Sequence, residues 1–447
     1  MRLLLGAALL SAVALLAARS SATAVAAAGG LDPSFGDHGL AVVGGIRSCL
    51  PGEGGCPNTI GLATQHDGAI VVAGATLDQD CRSRFAVARL REGTLDGRFG
   101  RVGHVQTAFG SDSAVATAAL VTADGRIVVA GDLLSPPTSG GCADPRSHIH
   151  LGGGIGFALA TYRPDGTLDT SFGGDGRVVT DVDEAGTVDA LLQPDGKIVV
   201  VGYSGTDLAL ARYRRDGTLD SSFGDHGKVV SDFGDQGGDV PGKAALDRAG
   251  RILVPVSPGC YPCAGYIVRY TGDGKLDPTF GEDGRAVVGN QSVAFRAVAL
   301  SGGTILAAGP SYVRRIGTSA SIAVARFSTR GTVDRSFGTF ASPGIVLVRT
   351  PGRQMVNDLA VQSGKILVAG TSLQLKTFTV NDFVLTRLLA DGSIDRSFGK
   401  AGTARIDFGL ADAGEAVAIQ HGGKLVVAGV LGKYADRVGV ARYRLGT

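Results

Sequence analysis

The chain has 447 residues with 70 Gly, 16 Pro, 6 Cys and no Trp; 44% are hydrophobic and 19% charged. That balance excludes a disordered chain, which pairs low hydrophobicity with high net charge, and the glycines show no three-residue collagen period. The formal charge of +2 is accounted for by Arg2 and Arg19, so beyond residue 28 basic and acidic residues balance. Such a chain carries no electrostatic footprint for nucleic acid or an anionic membrane.

Met1 and Arg2 precede an apolar run from Leu3 to Ala18, then small residues from Ala22 to Ala28. This reads as a secretory signal peptide over 1–28, cleaved near Ala26 or Ala28. The run is shorter than the ~20 apolar residues of a spanning helix. Residues 29–447 are expected to form one exported domain, secreted or at the cell surface, monomeric and not inserted in a membrane.

The string Leu31-Asp32-Pro33-Ser34-Phe35-Gly36 then recurs six times. Its copies carry Asp96, Phe99 and Gly100; Asp169, Phe172 and Gly173; Asp220, Phe223 and Gly224; Asp277, Phe280 and Gly281; Asp334, Phe337 and Gly338; and Asp395, Phe398 and Gly399. The closing glycines are 64, 73, 51, 57, 57 and 61 residues apart, a period near 60. Asp195-Gly196-Lys197-Ile198-Val199-Val200-Val201-Gly202 typifies a second recurring string, weakest at Ala249 to Val256. Ala211-Arg212-Tyr213 typifies a third.

Each period reads as four short strands: Arg177 to Asp181, Val188 to Gln193, Lys197 to Tyr203 and Asp207 to Arg214 in the clearest copy. Pro194-Asp195-Gly196-Lys197 and Arg215-Asp216-Gly217-Thr218 make the turns, with glycine supplying positive φ. The Lys197 to Tyr203 run is apolar at consecutive positions, so both its faces are expected to be buried. Four-stranded units repeated seven times predict an all-β fold, a seven-bladed β-propeller built from seven ~60-residue repeats. The strand from Leu40 to Val43 is placed to complete the last blade. Which strand lies innermost is left open.

Together the first two strings resemble the delta-60 repeat family of bacterial exported proteins, most cleanly over Asp165 to Gly176. The resemblance spans the chain beyond residue 28 and implies a propeller-like fold at or outside the cell surface. It implies no reaction. Two departures stand out: Ala341 in place of the second glycine of the sixth copy, and the degenerate fourth Asp-Gly-Lys string.

The seven repeat aspartates could be metal ligands, but one carboxylate per turn does not supply the six to eight oxygens of Ca²⁺. They read instead as turn carboxylates accepting backbone N–H groups, with the seven Phe plugging the gaps between blades. Arg89, Arg212, Arg269, Arg326, Arg387 and Arg442 recur on one strand, with Thr161 in the second copy. A ring of them could bind an anion, but carboxylate pairing or carbonyl capping is the favoured reading. Asp232-Phe233-Gly234 and Asp407-Phe408-Gly409 read as strand-end turns.

Six cysteines suit an oxidising compartment. Locality suggests Cys49–Cys56, Cys81–Cys142 and Cys260–Cys263 bridges, among 15 possible pairings. His148 and His150, near Cys142 and Asp144, are too few for a zinc site, which needs four ligands; the long loop 132–154 reads as a binding loop, with 47–58 and 257–263 beside it. Asn290-Gln291-Ser292 is read as an idle glycosylation sequon. No Gly-x-Ser-x-Gly or His-Glu-x-x-His string occurs, and His38, His104, His148 and His226 sit at unmatched positions. The expectation is therefore an exported binding or scaffold module, not an enzyme, with no cofactor, no metal and an unknown protein or glycan ligand. The alternative is an extracellular propeller lyase or hydrolase with its site at the ring opening.

Overall fold

A computed structural model describes residues 30–47, 60–79, 82–135, 154–234, 237–259, 264–289, 293–311, 321–339, 342–348, 353–373, 381–409, 412–432 and 435–444. The leader, all six cysteines, His148, His150, Ala341 and Asn290-Gln291-Ser292 lie outside the described residues. The described residues contain no helix; antiparallel strands form seven blades around a ring. The fold is a seven-bladed β-propeller.

Blade 3 shows the plan: Ala185–Leu192, Ile198–Ser204, Asp207–Tyr213 and Lys228–Ser231 pair in that order. First strands of neighbouring blades touch one another around the axis. Fourth strands expose Val42, Val179, Val230 and Val287 on the rim. The first strand is therefore innermost. The second strand, buried at Ile198 to Gly202, is covered on both faces because blades stack on both its sides.

The blades are out of phase with the reading of the repeats. Arg177–Asp181 does not open blade 3; it pairs with Gly154–Tyr162 as the fourth strand of blade 2. Each repeat thus surrenders its leading strand to the preceding blade. The ring closes by the same logic, because Leu40–Gly44 pairs with Arg437–Arg444 as the outer strand of blade 7. The sixth glycine is displaced rather than lost. Gly344 donates its N–H to Phe337 O at 2.6 Å, as Gly227 does to Phe223 O at 2.8 Å.

Apolar side chains gather into a core cluster at each junction between blades. Phe223, fully buried, lies with Val199, Val201 and Leu210 of blade 3 and with Ile252, Val254 and Val268 of blade 4. Burying such a side chain contributes about 1.5–3 kcal/mol. Polar contacts reinforce each junction. Gly224 donates its N–H to Asp273 O in the next blade (2.9 Å), and Tyr213 donates its hydroxyl back to Thr180 of the previous blade's outer strand (2.6 Å). Gly217, at φ 86°, leaves little room for a side chain, since a Cβ there would lie 3.0 Å from Gly173 N and 2.8 Å from Val178.

Candidate active site at the channel

The repeat residues converge on one face, where first strands turn into second and third into fourth. Asp220 Oδ1 accepts the Ser222 N–H (3.2 Å) and hydroxyl (2.8 Å). Its Oδ2 meets Arg212 at 3.0 Å and Lys197 at 3.0 Å. Three strings remote in sequence thus share one carboxylate. Burial pushes that carboxyl up, but the bonds from Ser222 and Lys197 hold it well below the usual range. Arg212 also stacks 4.6 Å over Phe223 and donates to Gly272 O of blade 4. Arg89, Arg269, Arg326, Arg387 and Arg442 stack likewise on Phe99, Phe280, Phe337, Phe398 and Phe35.

Blade 2, with Thr161, keeps the arrangement by another route: Arg126 reaches Asp169 Oδ2 at 3.1 Å. In the degenerate fourth string, Arg251 lies 3.5 Å from Asp277. Asp32 binds Arg442 and Lys424 at 2.9 and 3.0 Å, tying the ring's two ends together. These carboxylates are occupied by the protein's own cations and hydrogen bonds, so this face is a set of blade clamps.

The opposite face receives the second-to-third and fourth-to-first connections. The described ends of 47–58, 132–154 and 257–263 all open there. A cleft of about 540 Å³ on it is lined by Gly154, Ile155, Asp181, Asp183, Glu184 and Ser204.

Below this face the innermost strands carry register shifts at Ala116/Ala118, Thr187/Asp189, Val356/Asp358 and Gly414/Ala416. A bulge re-aims the residue beside it. The places that follow are held by Ala118, Asp189, Asp358 and Ala416, matched in blades 1, 4 and 5 by Gly61, Lys243 and Ala297. Most are small, and three are charged. Asp189 Oδ2 accepts the Ala244 N–H of blade 4 at 2.9 Å. Asp358 Oδ2 accepts the Val417 N–H of blade 7 at 2.8 Å and the Lys243 ammonium at 3.1 Å. Lys243 of blade 4 thereby passes small Ala297 of blade 5 to reach blade 6. Its side chain is 15% exposed, and Glu415 contributes further negative charge.

Burial pushes the Asp189 carboxyl up, Lys243 draws it down and Asp358 raises it again, leaving it at about 6. Burial disfavours the Lys243 ammonium, but Asp358 and Asp189 outweigh it, so the proton is held more firmly than usual. The channel therefore places a carboxyl that exchanges protons near neutrality beside a fixed ammonium. Sequence reasoning missed this group because it has no linear motif. Comparing the repeats column by column exposes it, as one innermost position reads Gly, Ala, Asp, Lys, Ala, Asp and Ala around the ring.

A family model described as a domain of unknown function (DUF5122) beta-propeller matches residues 65–99, 193–223, 301–337 and 362–398. Each span runs from a first-to-second-strand turn to the clamp segment of the same blade. Four of the repeats in the seven-bladed ring thus match the DUF5122 β-propeller model; the match does not extend to the delta-60 name. A search of curated proteins finds no match.

Among solved structures, a catalytically inactive virginiamycin B lyase from Staphylococcus aureus is 10% identical, covering 91% of this chain and 99% of its own, with a TM-score of 0.48. A polysaccharide lyase, ulvan lyase, is 13% identical over 93% of this chain and 96% of its own, at 0.47. The β-propeller domain of the Trilobed protease from Pyrococcus furiosus is 10% identical over 86% and 95%, at 0.43. The likeness is one of fold. Lyases stand among these propellers, so the fold gives no ground for the expectation that this chain is not an enzyme, and that expectation falls. Absence of a catalytic string does not decide the matter, because a site gathered from separate blades would leave none.

Proposed function

We propose that the chain is an exported enzyme, a lyase or hydrolase acting on a glycan by proton transfer in its channel. The observation that carries this reading is Asp189, with a carboxyl at about 6, beside the Lys243–Asp358 pair on the innermost strands. A group poised near working pH is suited to general acid–base catalysis, and two carboxyls in unlike surroundings can divide the roles of acid and base. In an elimination, Lys243 would stabilise the negative charge that develops as a proton leaves carbon. In a hydrolysis, Asp189 would protonate the leaving oxygen. The acidic cleft over blades 2 and 3 favours a neutral or amino sugar over a polyanion at that rim, and with it hydrolysis over elimination, whose uronate substrates are anionic. The resemblance to delta-60 repeats and the leader support export.

The test offers residues 29–447 neutral, amino-sugar and uronic-acid polysaccharides, following ultraviolet absorbance of unsaturated ends for a lyase and reducing ends for a hydrolase. Asp189→Asn and Lys243→Met should each lower kcat by about 10²–10⁴, and Asp189→Asn should remove a limb of the pH profile near 6. No turnover by the unaltered chain, or turnover indifferent to both substitutions, sinks the proposal.

A further inference from the structure

Among the described residues, two junctions stand out on the loop face. Between blades 3 and 4, Asp207, Asp232 and Asp239 bring carboxylate oxygens within 4.8 Å of one another; between blades 6 and 7, Asp382, Asp407 and Asp412 do the same. The positions correspond one for one. Each trio takes the start of a third strand, the end of the fourth, and the start of the next blade's first strand.

The junctions diverge in what answers the charge. In the first, Asp239 Oδ2 accepts the Phe233 N–H at 3.0 Å and its Oδ1 accepts the Tyr266 hydroxyl at 3.1 Å. Arg285 lies 4.4 Å over Phe233 and 5.4 Å over Tyr266. In the second, Asp412 Oδ2 accepts the Phe408 N–H at 2.8 Å. The register places Gly439 where Tyr266 stands and Leu40 where Arg285 stands. A side chain at Gly439 would collide with Phe408, 2.8 Å from its Cβ position.

Asp412 thus lacks the hydroxyl that Tyr266 gives Asp239, with the Gly432 N–H on its carboxyl instead, and Oδ1 of Asp382 and Oδ1 of Asp412 are both buried outside any hydrogen bond of the described residues. Both residues are 1% exposed. Burial raises both carboxyls, and the neighbouring Asp407 raises them further. A buried acceptor with no donor costs about 1–3 kcal/mol, and here two such acceptors lie in one cluster. Arg405 pairs with Asp382 Oδ2 and balances one of the three negative charges. A divalent cation would match the other two in their ionised form.

We infer that Asp382, Asp407 and Asp412 bind a hard divalent cation of the calcium type at the junction of blades 6 and 7. Carboxylate oxygens without nitrogen or sulfur suit calcium, which accepts irregular oxygen cages and waters. The site ties the third and fourth strands of blade 6 to the first strand of blade 7, so the ion would stabilise the junction nearest the ring closure.

The experiment uses residues 29–447, stripped with EDTA and dialysed, with calcium chloride as the probe. Calorimetry should give one ion per chain. The unfolding midpoint should climb with the logarithm of calcium concentration, by on the order of 3 °C at a hundredfold excess over the dissociation constant. Asp412→Asn and Asp407→Asn should each abolish the rise, whereas Asp239→Asn, at the corresponding place between blades 3 and 4, should keep it. Asp407 is the least buried of the three, so its variant remains readable if Asp412→Asn does not fold. No heat of binding and no rise in the unaltered chain overturns the inference, and so does a rise that survives both substitutions. Because the readout is binding and stability, failure here is separable from failure of the enzymatic proposal.

Discussion

Replacing Asp220 by Ala tests the blade clamp most directly, because blade 2 supplies a natural control. In blade 3 the clamp's guanidinium, Arg212, is 6% exposed and its carboxylate 3%. In blade 2 the cation is Arg126, 25% exposed, against Asp169 at 6%. Either Asp→Ala change also removes bonds to a serine N–H and hydroxyl, Ser222 or Ser171, at matched distances. Lys197 on Asp220 and Arg126 on Asp169 hold the same place in their strings, so the difference between the two isolates Arg212. Breaking a buried pair by deleting one partner costs about 3–5 kcal/mol; a cation that can turn to water loses about 1–2. With an unfolding entropy of about 2.1 cal/mol/K per residue over roughly 400 residues, these become midpoint losses of about 4–6 °C for Asp220→Ala and about 1–2 °C for Asp169→Ala. Adding Arg212→Met to Asp220→Ala should recover part of the loss, since it removes the stranded charge. The assay is thermal unfolding of the full chain by calorimetry. Equal losses at the two sites, or no recovery in the double variant, would refute the argument that desolvated charge governs the clamp.

Two further outcomes follow from the same structure. Asp132 is buried in blade 2 and accepts the Thr187 N–H of blade 3 at 2.5 Å, and burial lifts its carboxyl from 3.8 to about 7. Its neutral form is the folded-state preference, so its contribution is complete below pH 3.8 and is lost as pH rises to about 7. Asp132→Asn should flatten the fall in stability across that window, seen as midpoints at pH 5 and 8 drawing together; an unchanged slope counts against the burial argument. Removing residues up to 45 deletes the Leu40–Gly44 strand and Asp32, leaving the Arg437–Arg444 edge unpaired. Exposed edges recruit other strands, so light scattering should find a larger species than the full chain gives; an unchanged size with an intact unfolding transition would show that closure does not depend on this strand.

The repeats made blade number, ring closure and the buried second strand legible, because each is stated seven times over. The phase was not legible, since a cyclic pattern marks no beginning. Arg177–Asp181 follows its turn in sequence, yet its hydrogen bonds return to the strand before that turn. The meeting of Lys197 and Arg212 on Asp220 was hidden for another reason: the three residues belong to three strings, and only the folded blade brings them to one carboxylate. Asp189, Lys243 and Asp358 are hardest to see. Repeat signals report what all blades share, and these residues are where the blades differ. The aspartates at 232 and 407 were visible only as turns, because the partners that give them charge density come from other strands.

The offset between repeat and blade bears on how such a ring can change size. A unit that donates its first strand to the blade before it cannot fold as an isolated piece, yet it can be inserted or excised between any two others without leaving a loose end. The incoming unit completes its predecessor and is completed by its successor, as Leu40–Gly44 completes the last blade here. Duplication of one period would therefore yield a wider closed ring rather than a ring with a tail, and the bore of the channel would become a heritable variable set by copy number.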